Sequence, residues 1–302
     1  MRDTMKGHYV TGADHAHECC RPHAAVFNCS MYGTFNVQVP FLRIQQYRPT
    51  IVHGPKRYWF VRIVEADTGK EYFGWAVRDK TSKQRVNTLE VVTKRLLPDS
   101  LKSGGLEVTI LQKWDRLKIQ DWAKKQYWFQ TFPFTPVKRA DSALVWKTID
   151  VISWAGLDVL DWGCHYGYMG FQASERGASV LGIDSNKRSL NAARIIRNHV
   201  IQQDVCFASD FGERPDGWDV ILYLSVHHQR DPSYRRLGET VELLRLMARK
   251  HVFVELILPP TFPKGVKMGV QQIDEAVGGE QLLNYKHAVR GERKIYHLEV
   301  ER

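Results

Sequence analysis

The chain is short of cysteine, has no long apolar run, and has no excess of either charge in its second half; each shortage excludes something. Five cysteines, an odd number, are scattered over 302 residues, too few and too irregular for a disulfide framework, which fits a reducing compartment and makes the cytoplasm the expected location. No apolar stretch approaches the roughly 18–20 residues of a membrane-spanning helix. The opening MRDTMKGHYVTGADHAHECC lacks the apolar centre of a secretory signal. Internal repeats and low-complexity tracts are absent as well. What is present is ordinary globular composition, 43% hydrophobic and 25% charged, enough to bury one large core or two modest ones.

The charge is unevenly placed. Of the net +10, residues 1–150 hold 24 basic and 14 acidic side chains, whereas residues 151–302 hold 19 of each. The positives gather at Lys56, Arg57 and Arg62, at Arg78, Lys80, Lys83 and Arg85, at Lys94 and Arg95, and from Lys113 to Lys125. Tyr58, Trp59, Tyr72, Trp75, Trp114, Trp122 and Trp128 are interleaved with them. Such a mixture suits phosphate contacts with base stacking; it equally suits a solvated β surface whose aromatics fill the core. His15, His17, Cys19, Cys20, His23 and Cys29 supply enough nitrogen and sulfur donors for a zinc ion, although their spacing matches no familiar finger.

Hydrophobic patterning divides the chain. Residues 1–32 have no periodicity and read as a tail or irregular cap. Residues 33–113 alternate with period two in FNVQVPFLRI, YWFVRIVEA, EYFGWAVRD and LEVTILQKW, with a hairpin turn at Asp67, Thr68 and Gly69, which predicts a small basic β-rich domain. Residues 114–150 read as a helical linker. From 151 to 302 strand and helix patterns alternate, predicting a parallel sheet with helices on its faces. Strands are expected at Asp158–Trp162, Ser179–Asp184, Val205–Ala208, Asp219–Leu224 and His251–Leu256, and helices at Tyr168–Arg176, Lys187–Val200 and Tyr234–Ala248. A closing antiparallel hairpin is expected around Arg290, Gly291 and Glu292.

The first loop of this half carries the chemistry. Val159-Leu160-Asp161-Trp162-Gly163-Cys164-His165-Tyr166-Gly167 is an apolar strand entering a glycine turn that opens a helix, where backbone approaches a ligand closely. At the end of the next strand Asp184 is placed to accept hydrogen bonds from a ribose diol. The glycines are spaced G-x-x-x-G, unlike the G-x-G-x-x-G of dinucleotide pyrophosphate sites. Asp161 beside the turn would repel phosphates and suits a cationic ligand bearing an ammonium and a sulfonium, as S-adenosylmethionine does. With D-x-G-C-x-x-G followed by G-I-D and D-V-I-L-Y-L-S-V-H-H, the region from about 142 to 302 resembles the class I S-adenosylmethionine-dependent methyltransferases. YWFQTFPF, D-W-G-C-H-Y-G-Y and S-V-H-H-Q-R-D-P further resemble the tRNA wobble-uridine carboxymethyl transferases, whose cofactor is carboxylated. Basic partners for that extra carboxylate are not evident, so only the fold and the parent cofactor are carried over.

The resemblance implies an α/β fold, a Rossmann-like seven-stranded sheet ending in an antiparallel hairpin. It implies that Gly163, Cys164 and Gly167 cradle the methionine portion of the cofactor, that Asp161 lies near its ammonium and that Asp184 takes the ribose hydroxyls. Ser185 and Asn186 edge the adenine pocket or cap a helix; Asp210 and Phe211 receive the adenine amino group and ring, or Asp210 caps a turn. Ser225, His227 and His228 arrive at the carboxyl end of the sheet, where a histidine can remove the acceptor's proton. Neither a D/N-P-P-Y motif nor a cysteine follows the fourth strand, which favours an oxygen or ring-nitrogen nucleophile. The expected activity is methyl transfer with RNA or tRNA as acceptor, the basic half recruiting it. The alternatives are a small-molecule methyltransferase whose first domain is a lid or dimer contact, and a non-catalytic nucleic-acid-binding protein on the same scaffold. No membrane partner is expected.

Overall fold

A computed structural model describes residues 4–9, 33–38, 49–79, 88–93, 101, 104–114, 116–126, 130–132, 142–212, 216–258, 268–287 and 291–301. The histidine and cysteine cluster of residues 15–29 lies outside them. Two compact units emerge: Met1–Trp114 with Ile196–Asp204, and Asp115–Ile195 with Val205–Arg302. Residues 196–204, within the stretch read from sequence as the α/β half, group with the first unit.

The first unit is built from β1 (Thr4–Tyr9), β2 (Gly33–Gln38), β3 (Ile51–His53), β4 (Lys56–Glu65), β5 (Glu71–Asp79), β6 (Thr88–Thr93) and β7 (Gly105–Ile110). Six strands close an antiparallel barrel in the order β4-β5-β6-β2-β1-β7, with β7 returning to the second half of β4 and β3 pairing with its first residues. β1 corrects the reading of residues 1–32 as a tail. TMKGHY has only Met5 and Tyr9 as apolar side chains in a glycine-interrupted run, and it pairs by backbone with β7 and β2. The barrel interior is filled by Trp59, Val61, Ile63, Ala76, Leu89, Val91, Leu106, Val108 and Ile110. The opposite faces of β4, β5 and β6 are apolar too, with Tyr58, Phe60, Phe73, Trp75, Val77 and Val92 buried in a second cluster. A strand apolar on both faces needs a cover on each. Part of that cover is Arg197, whose guanidinium lies 3.7 Å from the Phe73 ring centre and pairs with Glu71 at 3.8 Å. Burial of Tyr58, Trp59 and Trp75 corrects the base-stacking reading for these three aromatics: their faces are spent on the core.

The second unit opens with α1 (Arg116–Lys124) and α2 (Ser142–Ile149). It continues β8 (Asp158–Trp162), α3 (Tyr168–Glu175), β9 (Ser179–Ile183), α4 (Lys187–Ile196), β10 (Val205–Ala208), β11 (Trp218–Leu224), α5 (His227–Arg230), α6 (Leu237–Met247), β12 (Ala248–Ile257), α7 (Val270–Val277), β13 (Glu280–His287) and β14 (Gly291–Glu299). The strands lie in the order β10-β9-β8-β11-β12-β14-β13. The first five are parallel, and β14 is antiparallel to both neighbours. This is a mixed α/β architecture. β11, central and apolar on both faces, is buried from Trp218 to Tyr223. Two boundaries differ from the pattern. The α-helix expected through Val200 ends at Ile196 and continues as a π turn, Arg197–Ile201, and the helix expected from Tyr234 starts at Leu237 because Tyr234 has φ +59°. No helix among the described residues is long and apolar enough to cross a membrane. Strand order reverses between β8 and β11, and ligands of open α/β sheets bind outside the carboxyl ends of the strands at such a point.

Candidate active site

At that switch point β8 runs through a tight loop into α3. Gly163 and Gly167 have φ +80° and +82°, a region open to glycine and costly to residues with a Cβ. Space is as limiting as torsion: a Cβ on Gly163 would run into Cγ2 of Val226, and one on Gly167 would sit 2.6 Å from Cζ of Phe207. His165 stands where the commonest motif has a third glycine and takes the same conformation, with φ +51°. The departure in sequence therefore leaves the loop path intact at a local backbone cost.

Asp184 closes the loop from β9. Its Oδ2 accepts from His165 N at 2.9 Å and its Oδ1 from Asn186 N at 2.7 Å. Both Gly163 N and Cys164 N donate to the carbonyl of Ile183, at 2.8 and 2.9 Å, so the loop and the carboxylate are held in one register. Asp161 lies beneath, buried, with Oδ2 accepting from Gly170 N in α3 at 3.1 Å. Burial raises its pKa to about 7, against the lowering effect of the Gly170 bond, with the Asp184 charge adding to the rise. A buried carboxylate that resists ionisation is the group an ammonium would stabilise. Cys164 is buried and its thiol pushed upward by the same desolvation, so it lines the loop as a small apolar group.

Gln130 is a functional residue that sequence reasoning missed. Its Oε1 accepts from Tyr166 N and Tyr168 N at 3.1 and 3.2 Å, and its Nε2 donates to the carbonyl of Cys164 at 3.1 Å. One side-chain amide thus clamps both sides of the turn and satisfies a donor at the start of α3. Its only signal is its place in YWFQTFPF; no spacing rule links it to a loop 34 residues onward.

The remaining candidates separate. Asn186 caps α4, its Oδ1 accepting from Arg188 N and Ser189 N, with Ser185 exposed beside it. Asp210 is exposed and bonded within its own turn, to Gly212 N and Ser209 Oγ. Phe211 packs edge-on against Trp162 with ring centres 5.4 Å apart. Ser225, with φ +58°, is drawn into a buried network: it donates to Glu255, accepts from Arg293, and Tyr285 donates to the other Glu255 oxygen. Arg293 Nη1 lies 3.1 Å from Glu255, while its Nε and Nη2 are buried without a hydrogen-bond partner among the described residues.

His227 and His228 begin α5, just past β11, and both are buried. The ring of His227 meets Tyr234 edge-on at 4.8 Å, neither ring nitrogen is hydrogen-bonded among the described residues, and Asp231 Oδ2 stands 3.8 Å from Nε2. Burial lowers its pKa more than Asp231 raises it, leaving a neutral imidazole able to accept a proton. It lines a cavity of about 210 Å³ together with Trp162, Arg230, Asp231 and Arg236, smaller than the roughly 300–1,000 Å³ that encloses a typical ligand.

No family model matches the chain. A curated relative described as ubiquinone biosynthesis O-methyltransferase, from Leptothrix cholodnii, is 31% identical over 123 residues, 38% of this chain and 52% of the relative. One of the same description from Stutzerimonas stutzeri is 28% identical over 116 residues, 36% of this chain and 49% of the relative. The chain spans about half the length of the curated relatives it matches. Among solved structures, the bifunctional kinase-methyltransferase WbdD aligns with a TM-score of 0.50 at 17% identity, over 61% of this chain and 46% of that one, a likeness of fold. Over these stretches the chain is similar to curated O-methyltransferases, in agreement with the resemblance of its loop signature to the class I S-adenosylmethionine-dependent methyltransferases.

Proposed function

We propose that the chain transfers a methyl group from S-adenosylmethionine to an oxygen nucleophile of a small-molecule acceptor. The observation that carries this reading is the joining, at one end of one sheet, of the two-glycine loop, Asp184 and the buried imidazole of His227. The cofactor fits what stands there: Gly163 and Gly167 give the loop a left-handed, closely packed path that bare backbone can follow, Asp184 can accept from ribose hydroxyls, and Asp161 offers a buried carboxylate to an ammonium. When bound, S-adenosylmethionine supplies a methyl group on a positively charged sulfur.

The chain's own work is alignment and proton removal. Gln130 and Ile183 hold the loop from two sides. His227 would take the acceptor's hydroxyl proton on a ring nitrogen, and Asp231 would stabilise the resulting imidazolium. An oxygen acceptor on a small molecule agrees with the curated relatives' description. The competing RNA reading loses the stacking faces of Tyr58, Trp59 and Trp75, which are core residues.

Calorimetry with S-adenosylhomocysteine tests the cofactor. Wild type binds, and Asp184→Ala binds at least about tenfold more weakly, the loss of a hydrogen-bonded charged acceptor. No binding by wild type, or equal binding by the variant, overturns the proposal. Salt-dependent capture of RNA with methyl incorporation would instead return the acceptor to nucleic acid.

A further inference from the structure

Far from the glycine loop, β12 and β14 bring a second group of side chains together. His251 near the start of β12 pairs directly with Glu299 at the end of β14, and His297 lies opposite Phe253. Side chains two residues apart share a face of a strand, and directly paired residues share a face of the sheet. His251, Phe253, His297 and Glu299 therefore occupy one face. Nε2 of His297 is 3.1 Å from Nδ1 of His251, and one ligand atom from each of the two histidines and Glu299 lies within 4.8 Å of the others. Among the described residues this is the one such cluster.

We propose that His251, His297 and Glu299 form a divalent transition-metal site, a clip of zinc type between β12 and β14. Two imidazole nitrogens bound to one tetrahedral zinc ion at about 2.0–2.1 Å stand about 3.3–3.4 Å apart, close to the 3.1 Å observed. Opening that pair by a few tenths of an ångström turns a nitrogen–nitrogen contact into a chelate. Glu299 is exposed, so its carboxylate can swing in at little packing cost, and water completes the shell. The His297 ring is already oriented, stacked on Phe253 at 4.6 Å and 8°. Neighbouring Lys250 directs its ammonium to Asp219, 3.2 Å away, which withdraws a competing cation. β14 is the strand that returns antiparallel on the parallel part of the sheet, so a clip at its end fastens it where the chain finishes pairing. Two imidazoles and one carboxylate select ions such as zinc or nickel over magnesium or calcium.

The test is titration of full-length, metal-stripped protein with zinc chloride, followed by calorimetry and melting temperature. Cys19→Ser and Cys20→Ser are present throughout, to remove the thiolates of the separate cluster. One equivalent binds and raises the melting temperature. His251→Gln and His297→Gln each weaken binding by at least about tenfold. The exposed Glu299→Gln does so while leaving the metal-free melting temperature unchanged, which separates ligand loss from misfolding. Cobalt bound at this site gives a spectrum without sulfur-to-metal charge transfer. Absence of one-to-one zinc binding, or binding indifferent to both histidine variants, overturns the assignment. The outcome is independent of methyl transfer.

Discussion

Three glycines with nearly the same backbone angle distinguish torsion from packing. Gly156, Gly163 and Gly167 have φ +76°, +80° and +82°, but a Cβ on Gly156 meets no atom of the described residues within 4 Å, whereas those on Gly163 and Gly167 meet Val226 and Phe207. Placing alanine in the left-handed region costs about 1–2 kcal/mol, offset by about 0.4–1 kcal/mol from a less flexible unfolded chain. Gly156→Ala should therefore lose about 0–1.6 kcal/mol. At Gly163 and Gly167 overpacking adds about 1–3 kcal/mol, for totals of about 1–4.6 kcal/mol. Urea unfolding measures the difference, and calorimetry with S-adenosylhomocysteine reads the consequence: Gly156→Ala binds like wild type, and the two loop variants bind at least tenfold more weakly. The double variant Gly163→Ala/Val226→Ala removes the atom that the new Cβ strikes, and should recover about 1 kcal/mol beyond additivity. Equal losses at all three glycines, or no recovery in the double variant, would show that the loop is not close-packed against β10 and the end of β11.

Other perturbations probe the remaining parts of the site. Asp161 holds its proton more tightly folded, with pKa raised by burial to about 7, than unfolded. Its contribution to stability is thus fully present below about pH 4 and lost as pH rises through 7. Asp161→Asn should flatten that part of the stability profile, and parallel profiles for variant and wild type would refute the assignment. Gln130→Leu removes the side-chain acceptor of two loop N–H groups and one of two donors to the Cys164 carbonyl; we expect a loss of about 1–3 kcal/mol and weaker S-adenosylhomocysteine binding, both partly restored in Gln130→Glu, which keeps the acceptor. Glu255→Gln strips the charge that neutralises buried Arg293 and should cost about 3–5 kcal/mol, with much of the loss recovered when Arg293→Met is added. His227→Phe should lower kcat about 10²–10⁴-fold with cofactor affinity unchanged; a variant with full activity would remove His227 from proton transfer.

Local pattern was sufficient for much of the α/β half. The apolar runs at Asp158–Trp162 and Trp218–Leu224 form strands, the glycine turn opens a helix, and Asp184 meets the loop it was read with, because period, turn chemistry and strand ends are all written within a few residues of one another. Contacts distant in sequence were not legible. Gln130 clamps a loop 34 residues away, Arg293 reaches Ser225 across 68, and Arg197 lies over Phe73. β1 belongs to a barrel that two apolar side chains in TMKGHY are too few to announce. The opening observation, that all net charge resides in the first half, is fixed by composition alone. Whether the aromatics among those charges face a ligand or a core is a matter of which side of each strand is covered: closure of the barrel put Trp59 inside, and cover of the opposite strand faces buried Tyr58 and Trp75. Sequence by itself determined the cofactor signature, since a glycine turn and a strand-end carboxylate act through backbone geometry encoded locally. Tertiary structure alone decided which polar groups share a buried space, because burial and partnership arise only when distant segments meet.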